Sequence, residues 1–257
     1  MKKMLTVTSF TLCLFILTGF VSVSASDGNY SIDENEMDEF LIGLGVPEDV
    51  ISNLTYLGKL EIFNSVEPDA EFDGFTEKEV SLPATEGDSS IANIPRSSLD
   101  LRVTGFSNSD GTYSIYPSFI WKERARLQND SFGFALNSNN WTTVAGDVGL
   151  NIHMVDASPG YTDRYYYDRP STSNFAGHAF KIPSGDGELN HDHYEGHAHF
   201  TAEPNGSNVD RQIILRYGDD THGAIGTASY SINVGPFSVS FPSSDSNFRE
   251  GAETLSW

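Results

Sequence analysis

From Leu99 onward the apolar residues of this chain recur at every second position, and no other feature restricts the fold as much. Leu99, Leu101 and Val103 alternate with Asp100, Arg102 and Thr104. Val148, Leu150, Ile152 and Met154 alternate with Gly149, Asn151, His153 and Val155, and Arg211, Ile213, Leu215 and Tyr217 with Gln212, Ile214 and Arg216. Ala228, Tyr230, Ile232 and Val234 lead through Gly235 and Pro236 into Phe237, Val239 and Phe241, with serines between. Successive side chains of a strand point to opposite faces, so each run reads as a strand with one face in a core. Turn clusters such as Asn108-Ser109-Asp110-Gly111 and Ser184-Gly185-Asp186-Gly187 separate the runs. Many short strands with turns between them predict an antiparallel β-sandwich or jelly roll over residues 95–257.

The chain before this region has a different period. Within residues 26–65, Ser31 and Glu34 have capping-box spacing, and Met37, Phe40, Leu41 and Leu44 follow at helical intervals. Gly43 and Gly45 end that helix, and Pro47 suits the first turn of a second one carrying Val50, Ile51 and Leu54. A third helix places Leu57, Leu60 and Phe63 on one side. Helices this short are marginal alone, so this appendage must pack on something else. The segment Phe40-Leu41-Ile42-Gly43-Leu44-Gly45-Val46-Pro47-Glu48-Asp49-Val50-Ile51, with Lys59 downstream, resembles a helical element in uncharacterised secreted proteins of Bacillus-type bacteria. The resemblance covers about 30 residues. It implies a Gram-positive origin and carries no activity. Residues 66–94 are rich in Glu and Asp, with Pro68, Pro83 and Gly87, and read as an acidic linker or cover strand.

The first 25 residues set the location. Lys2 and Lys3 precede an apolar stretch from Met4 to about Val21, and Val23-Ser24-Ala25 supplies small residues for cleavage after Ala25. Residues 1–25 are therefore a secretory signal, and the mature chain is expected outside the cell. No later stretch approaches the roughly 18 apolar residues of a membrane span. The single cysteine, Cys13, lies inside the signal, so the mature fold is held by packing without disulfides. Losing Lys2 and Lys3 takes the formal charge from −21 to −23. Such a charge repels nucleic acid and anionic polymers, and the one basic cluster, Lys122, Arg124 and Arg126, is interrupted by Glu123.

The segment Asn190-His191-Asp192-His193-Tyr194-Glu195-Gly196-His197-Ala198-His199-Phe200 holds four of the seven histidines. As a strand it puts His191, His193, Glu195, His197 and His199 on one face, with Tyr194, Gly196, Ala198 and Phe200 toward the core. Imidazoles and carboxylates are the ligands of zinc and other divalent transition metals. From His191 to His199 is roughly 26 Å along a strand, so the four cannot share one ion. A metal reading therefore rests on His197 and His199, with His153, His178 or His222 completing the set; His178, sharing its face with Ala176, Phe180 and Ile182, reads instead as a hydrogen-bonded core residue. His197-Ala198-His199 followed by Glu203 is similar in spacing to the first metal motif of cupins. His191 stands where that motif has glycine, and the second motif is missing.

Asp186, Glu188, Asn190 and Asp192 alternate after Gly185 and offer oxygens to a weak calcium site, or form an ordinary polar turn. Tyr165, Tyr166 and Tyr167, flanked by Asp163, Arg164, Asp168 and Arg169, offer flat faces for sugar rings with polar groups at the rim. The competing reading is that alternate tyrosines face the core. No complete catalytic constellation is recognisable in the sequence. The expectation is a secreted, acidic, non-catalytic extracellular binding protein with a glycan or protein partner. Its alternative is a divalent-metal-binding protein or metalloenzyme using the histidine strand.

Overall fold

The computed structural model describes residues 32–80, 99–122, 130–146, 148–156, 164–182, 191–207, 209–220, 231–233, 238–240 and 248–257. The signal segment, His222, the Ser184–Gly187 turn, and Asp186, Glu188 and Asn190 of the calcium reading lie outside the described residues.

Three helices open the described chain: α1 (Glu34–Gly43), α2 (Glu48–Asn53) and α3 (Tyr56–Ser65). Asp33, not Ser31, is the N-cap of α1, its carboxylate accepting from the Asn35 N–H at 3.0 Å. The carboxylate sits at the positive end of the helix dipole, where it is favoured over a hydroxyl. Gly45, at φ 84°, ends α1: its N–H donates to the Ile42 carbonyl and that of Val46 to Leu41. These two bonds form a Schellman motif, which requires a left-handed residue at that position. Gly43 is the last helical residue rather than the stop.

Fourteen strands follow among the described residues. β1 (Glu71–Val80), β2 (Leu99–Ser107), β3 (Tyr113–Trp121), β6 (Gly149–Asp156), β7 (Arg164–Asp168) and β10 (His191–Pro204) build one sheet in the order β1-β2-β3-β10-β6-β7, and β5 (Trp141–Thr143) pairs with the end of β10. β4 (Ser131–Leu136), β8 (Thr172–Asn174), β9 (Gly177–Lys181), β11 (Gln212–Asp220) and β14 (Phe248–Ser256) build the second, in the order β14-β11-β4-β9-β8. β12 (Ser231–Asn233) and β13 (Ser238–Ser240) form a separate pair. The described pairings are antiparallel. The fold is thus mainly β, two antiparallel sheets packed as a sandwich with a small helical segment near the N-terminus.

The core between the sheets is the one the alternation predicts for the first three runs; the side chains of the Ala228–Phe241 run lie outside what is described. Leu99, Leu101, Val103, Leu150, Ile152, Met154, Ile213, Leu215 and Tyr217 all lie in it, joined by Phe119, Phe132, Phe134 and Phe200. A second cluster joins Leu41, Leu44, Ile51 and Ile62 of the helical segment to Phe106 and Tyr116, on the opposite face of the larger sheet. Helices and sheets therefore form one unit, Ile32–Trp257, with three layers: helices, larger sheet, smaller sheet. Arg102 ties two of the layers together. Its guanidinium donates to the Asn53 carbonyl at 2.6 Å and pairs with Glu77 at 2.8 Å.

The sheet begins earlier than the sequence suggests. Residues 71–80, within the segment 66–94 read as an acidic linker or cover strand, are strand β1, paired along its length with β2. Its charges conceal the strand because it is an edge: Asp73 pairs with Arg211 at 2.7 Å and Lys78 with Glu253 at 3.2 Å, bridging to the other sheet. Charged edge strands resist further strand addition. The remainder of that linker, residues 81–98, lies outside the described residues.

Candidate functional site

The histidine strand β10 turns its faces as its alternation predicts. Tyr194, Ala198 and Phe200 lie in the core, and Glu195, His197 and His199 point to the other face, under the helical layer. A register irregularity between His191 and His193 interrupts the alternation at the start of the strand. The side chains of His191 and His193 are not described.

α3 lies over this face through a polar stripe at helical spacing. Gly58, Glu61 and Ser65 meet His197, His199 and Tyr116 respectively. A Cβ at Gly58 would lie 2.9 Å from Cε1 of His197, so only glycine lets the helix approach this closely. Thr55 accepts from the Gly58 N–H at 3.2 Å as the N-cap of α3, and its hydroxyl is also 3.1 Å from Nε2 of His197. Sequence spacing pointed instead to Leu57, Leu60 and Phe63 as the packing face of α3, yet Leu60 and Phe63 are only partly buried. Where α3 meets β10 it rests on imidazoles, so that part of its contact side is small and polar, while Leu57 and Ile62 supply its buried apolar residues.

Two carboxylates organise the polar groups beneath α3. Glu195, 3% exposed, places Oε2 at 3.0 Å from Nε2 of His197 and Oε1 at 3.4 Å from Nδ1 of His153. Glu61 accepts from Nδ1 of His199 at 2.5 Å and from the side-chain amide of Asn151. Thr55, His197 and Glu195 resemble a nucleophile–base–acid triad only in composition. A relay needs the hydroxyl and the carboxylate on opposite imidazole nitrogens. Here both sit on Nε2 of His197, which carries at most one proton.

The metal expectation meets the same geometry. His197 and His199 each face a different carboxylate, and His153 approaches Glu195 rather than the pair. Among the described residues no group of three or more His, Cys, Asp or Glu side chains is arranged to hold a metal ion. Glu203 is exposed, beyond this cluster. His178 is buried beside Phe134 and Phe200, as its apolar neighbours predict.

The tyrosines and the histidine strand, separate in sequence, adjoin in space. In the register Tyr165 pairs with His153, Tyr166 with Ile152 and Tyr167 with Asn151. The side chains of Tyr165 and Tyr166 are not described. Tyr167 is 52% exposed, and its ring lies where a side chain of Gly149 would be: a Cβ there would be 2.1 Å from Cε2. Gly149 is the register partner of His199. Directly opposed side chains in an antiparallel pair are about 5 Å apart. The Tyr167 ring therefore forms a shelf beside the half-buried His199, next to Asn151 and Glu61. Asn151, Glu61 and Gly149 carried no functional signal in the sequence. Glu61 is a lone carboxylate in a helix, and its role depends on a partner 138 residues away.

No protein-family model matches the chain, and no curated protein matches it. Among solved structures, the enzymatically active domain of tailspike protein 4 from bacteriophage CBA120 is similar at 10% identity and a TM-score of 0.20, over 53% of this chain and 17% of that one. At that TM-score the likeness shows neither a shared fold nor a shared activity.

Proposed function

We propose that this chain is a secreted, non-catalytic extracellular binding protein whose ligand is a neutral, hydroxyl-rich glycan, held on the Tyr167 shelf. The observation that carries the reading is the exposed Tyr167 ring laid over Gly149 beside His199. A flat aromatic face takes the C–H face of a sugar, and hydrogen-bonding groups at its edge fix orientation. The neighbouring groups favour hydroxyl donors. In the neutral ring His199 commits Nδ1–H to Glu61 and offers Nε2 as an acceptor, and Asn151 commits its amide N–H to Glu61, which leaves its carbonyl oxygen as an acceptor. A net charge of −21 over the whole chain disfavours anionic glycans. The non-catalytic part of the reading is supported by the misplaced contacts at His197, and the extracellular part by the leader at residues 1–25. The Bacillus-type origin suggested by residues 40–51 belongs to the same proposal.

The test is binding of the mature protein to an array of neutral and acidic glycans, followed by titration of each hit. Tyr167→Ala and Gly149→Ala are expected to weaken binding at least tenfold, the second by displacing the ring without removing it. Undiminished binding in both variants, or hits confined to anionic glycans, would overturn the proposal.

A further inference from the structure

A cleft of about 530 Å³ opens beside the contact between β5 and the β8–β9 turn, where the Thr143 N–H donates to the Phe175 carbonyl at 2.8 Å. Thr143, Val144 and Val148 line it from the larger-sheet side, and Arg169, Phe175 and His178 from the β8–β9 side. The volume falls in the range of small-ligand sites, roughly 300–1,000 Å³. The mouth carries apolar surface: Phe175 is 46% exposed.

His178 brings a polar group in among apolar rings. It is 6% exposed, and its ring lies 5.5 Å from that of Phe134 and 5.9 Å from that of Phe200. Nδ1 is 3.0 Å from the Ser173 hydroxyl. Nε2 is buried and has no hydrogen-bond partner among the described residues. Buried polar atoms without a partner are rare, and one on a residue that lines a cleft is a place where a ligand group can complete the bonding. Burial also pushes the imidazole down to about 4, so the ring is neutral at ordinary pH.

The chemistry of a neutral imidazole selects the ligand. The Ser173 hydroxyl can donate to Nδ1 or accept from it, so Nε2 is a donor in one tautomer and an acceptor in the other. A carboxylate satisfies only the first case and an ammonium only the second, and either would lose its hydration against Phe134 and Phe200. A hydroxyl satisfies both at little desolvation cost. We infer that this cleft is a second binding site, taking a small uncharged molecule with an apolar body and one hydroxyl, of the alkylphenol or alcohol class. The apolar body lies against Phe175, Val144 and Val148, and the hydroxyl meets Nε2 of His178. The cleft borders the glycan shelf through Val148 and Arg169, chain neighbours of Gly149 and Asp168, but Tyr167 and Gly149 do not line it.

The test uses 4-propylphenol, propylbenzene and 4-propylbenzoate as probes, with calorimetry for affinity and ¹⁵N-histidine spectra for the ring nitrogens of the mature protein. The phenol is expected to bind at least tenfold tighter than the other two and to shift the His178 Nε2 resonance. Ala145→Trp, an exposed rim substitution, is expected to abolish binding without touching His178. His178→Phe is expected to remove the preference for the phenol over propylbenzene. Absence of phenol binding, equal affinity for propylbenzene, or full binding in Ala145→Trp would each overturn the inference. Tyr167→Ala is expected to leave phenol binding unchanged; parallel loss would mean one shared site and equally overturn it.

Discussion

At Gly58 two opposing effects can be weighed. Alanine is about 1 kcal/mol better than glycine inside a helix. The new Cβ, however, would meet Cε1 of His197 at 2.9 Å and Nδ1 at 3.2 Å. The ring has little freedom to retreat, because Nε2 is held between Glu195 and Thr55 and the residue is 6% exposed. Overpacking of this kind costs about 1–3 kcal/mol. Gly58→Ala is therefore expected to lower stability by about 1 kcal/mol net, measured by urea unfolding. Gly43 is the control, because a Cβ added there would meet no described atom within 4 Å: Gly43→Ala is expected to be neutral or slightly stabilising. A gain in stability at Gly58 would show that the helix does not rest on His197. This contact also marks what was legible at the residue scale. Alternation gave the faces of Glu195, His197 and His199, because period two is local. Their partners, Glu61 and Thr55, lie 138 and 142 residues away, and no local pattern carries that distance.

At the scale of elements, α1 and α3 are joined by one cation. Lys59 is 4% exposed and pairs with Asp38 at 2.7 Å and Glu34 at 2.8 Å. Burial alone would lower its pKa, but the two carboxylates outweigh it and the ammonium is raised above its ordinary value of 10.5. A cation raised on folding stabilises the fold fully below its unfolded pKa and ceases to do so as pH rises through the folded one. Lys59→Met is thus expected to cost about 1–2 kcal/mol near neutral pH, a range set by the partial exposure of both carboxylates. The difference from the parent should shrink above pH 10.5. A difference that persists unchanged in that range would mean that Lys59 acts through the packing of its stem. Elements also show why the linker reading of residues 66–94 failed for β1. Glu71, Asp73, Glu77 and Glu79 have the composition of a solvated tether, and only pairing with β2 makes this segment a strand. An edge strand needs few apolar residues of its own, so its hydropathy resembles a loop.

At the scale of the molecule, the larger sheet has both faces covered, one by the smaller sheet and one by the helices. That arrangement makes the helical segment a layer of the fold. Leaving the sheet would expose Phe106 and Tyr116, now 0% and 5% exposed, and would strip Leu41, Leu44 and Ile62 of their contacts. It would also hydrate Glu195 and His197 and strip His199 of its Glu61 partner. Burying a large apolar side chain contributes about 1.5–3 kcal/mol, so loss of the layer would cost several times that. Small domains without disulfides keep only about 5–15 kcal/mol in total. The helical layer is therefore expected to stay with the sandwich. Intact-mass analysis of protein recovered from the medium should find a chain beginning at Ser26. A stable species beginning after Ser65 would mean that the sandwich holds without its helices. The polar row of His153, Glu195, His197 and His199 would then be an exposed face in the mature protein, and the metal reading would have to be tested there anew.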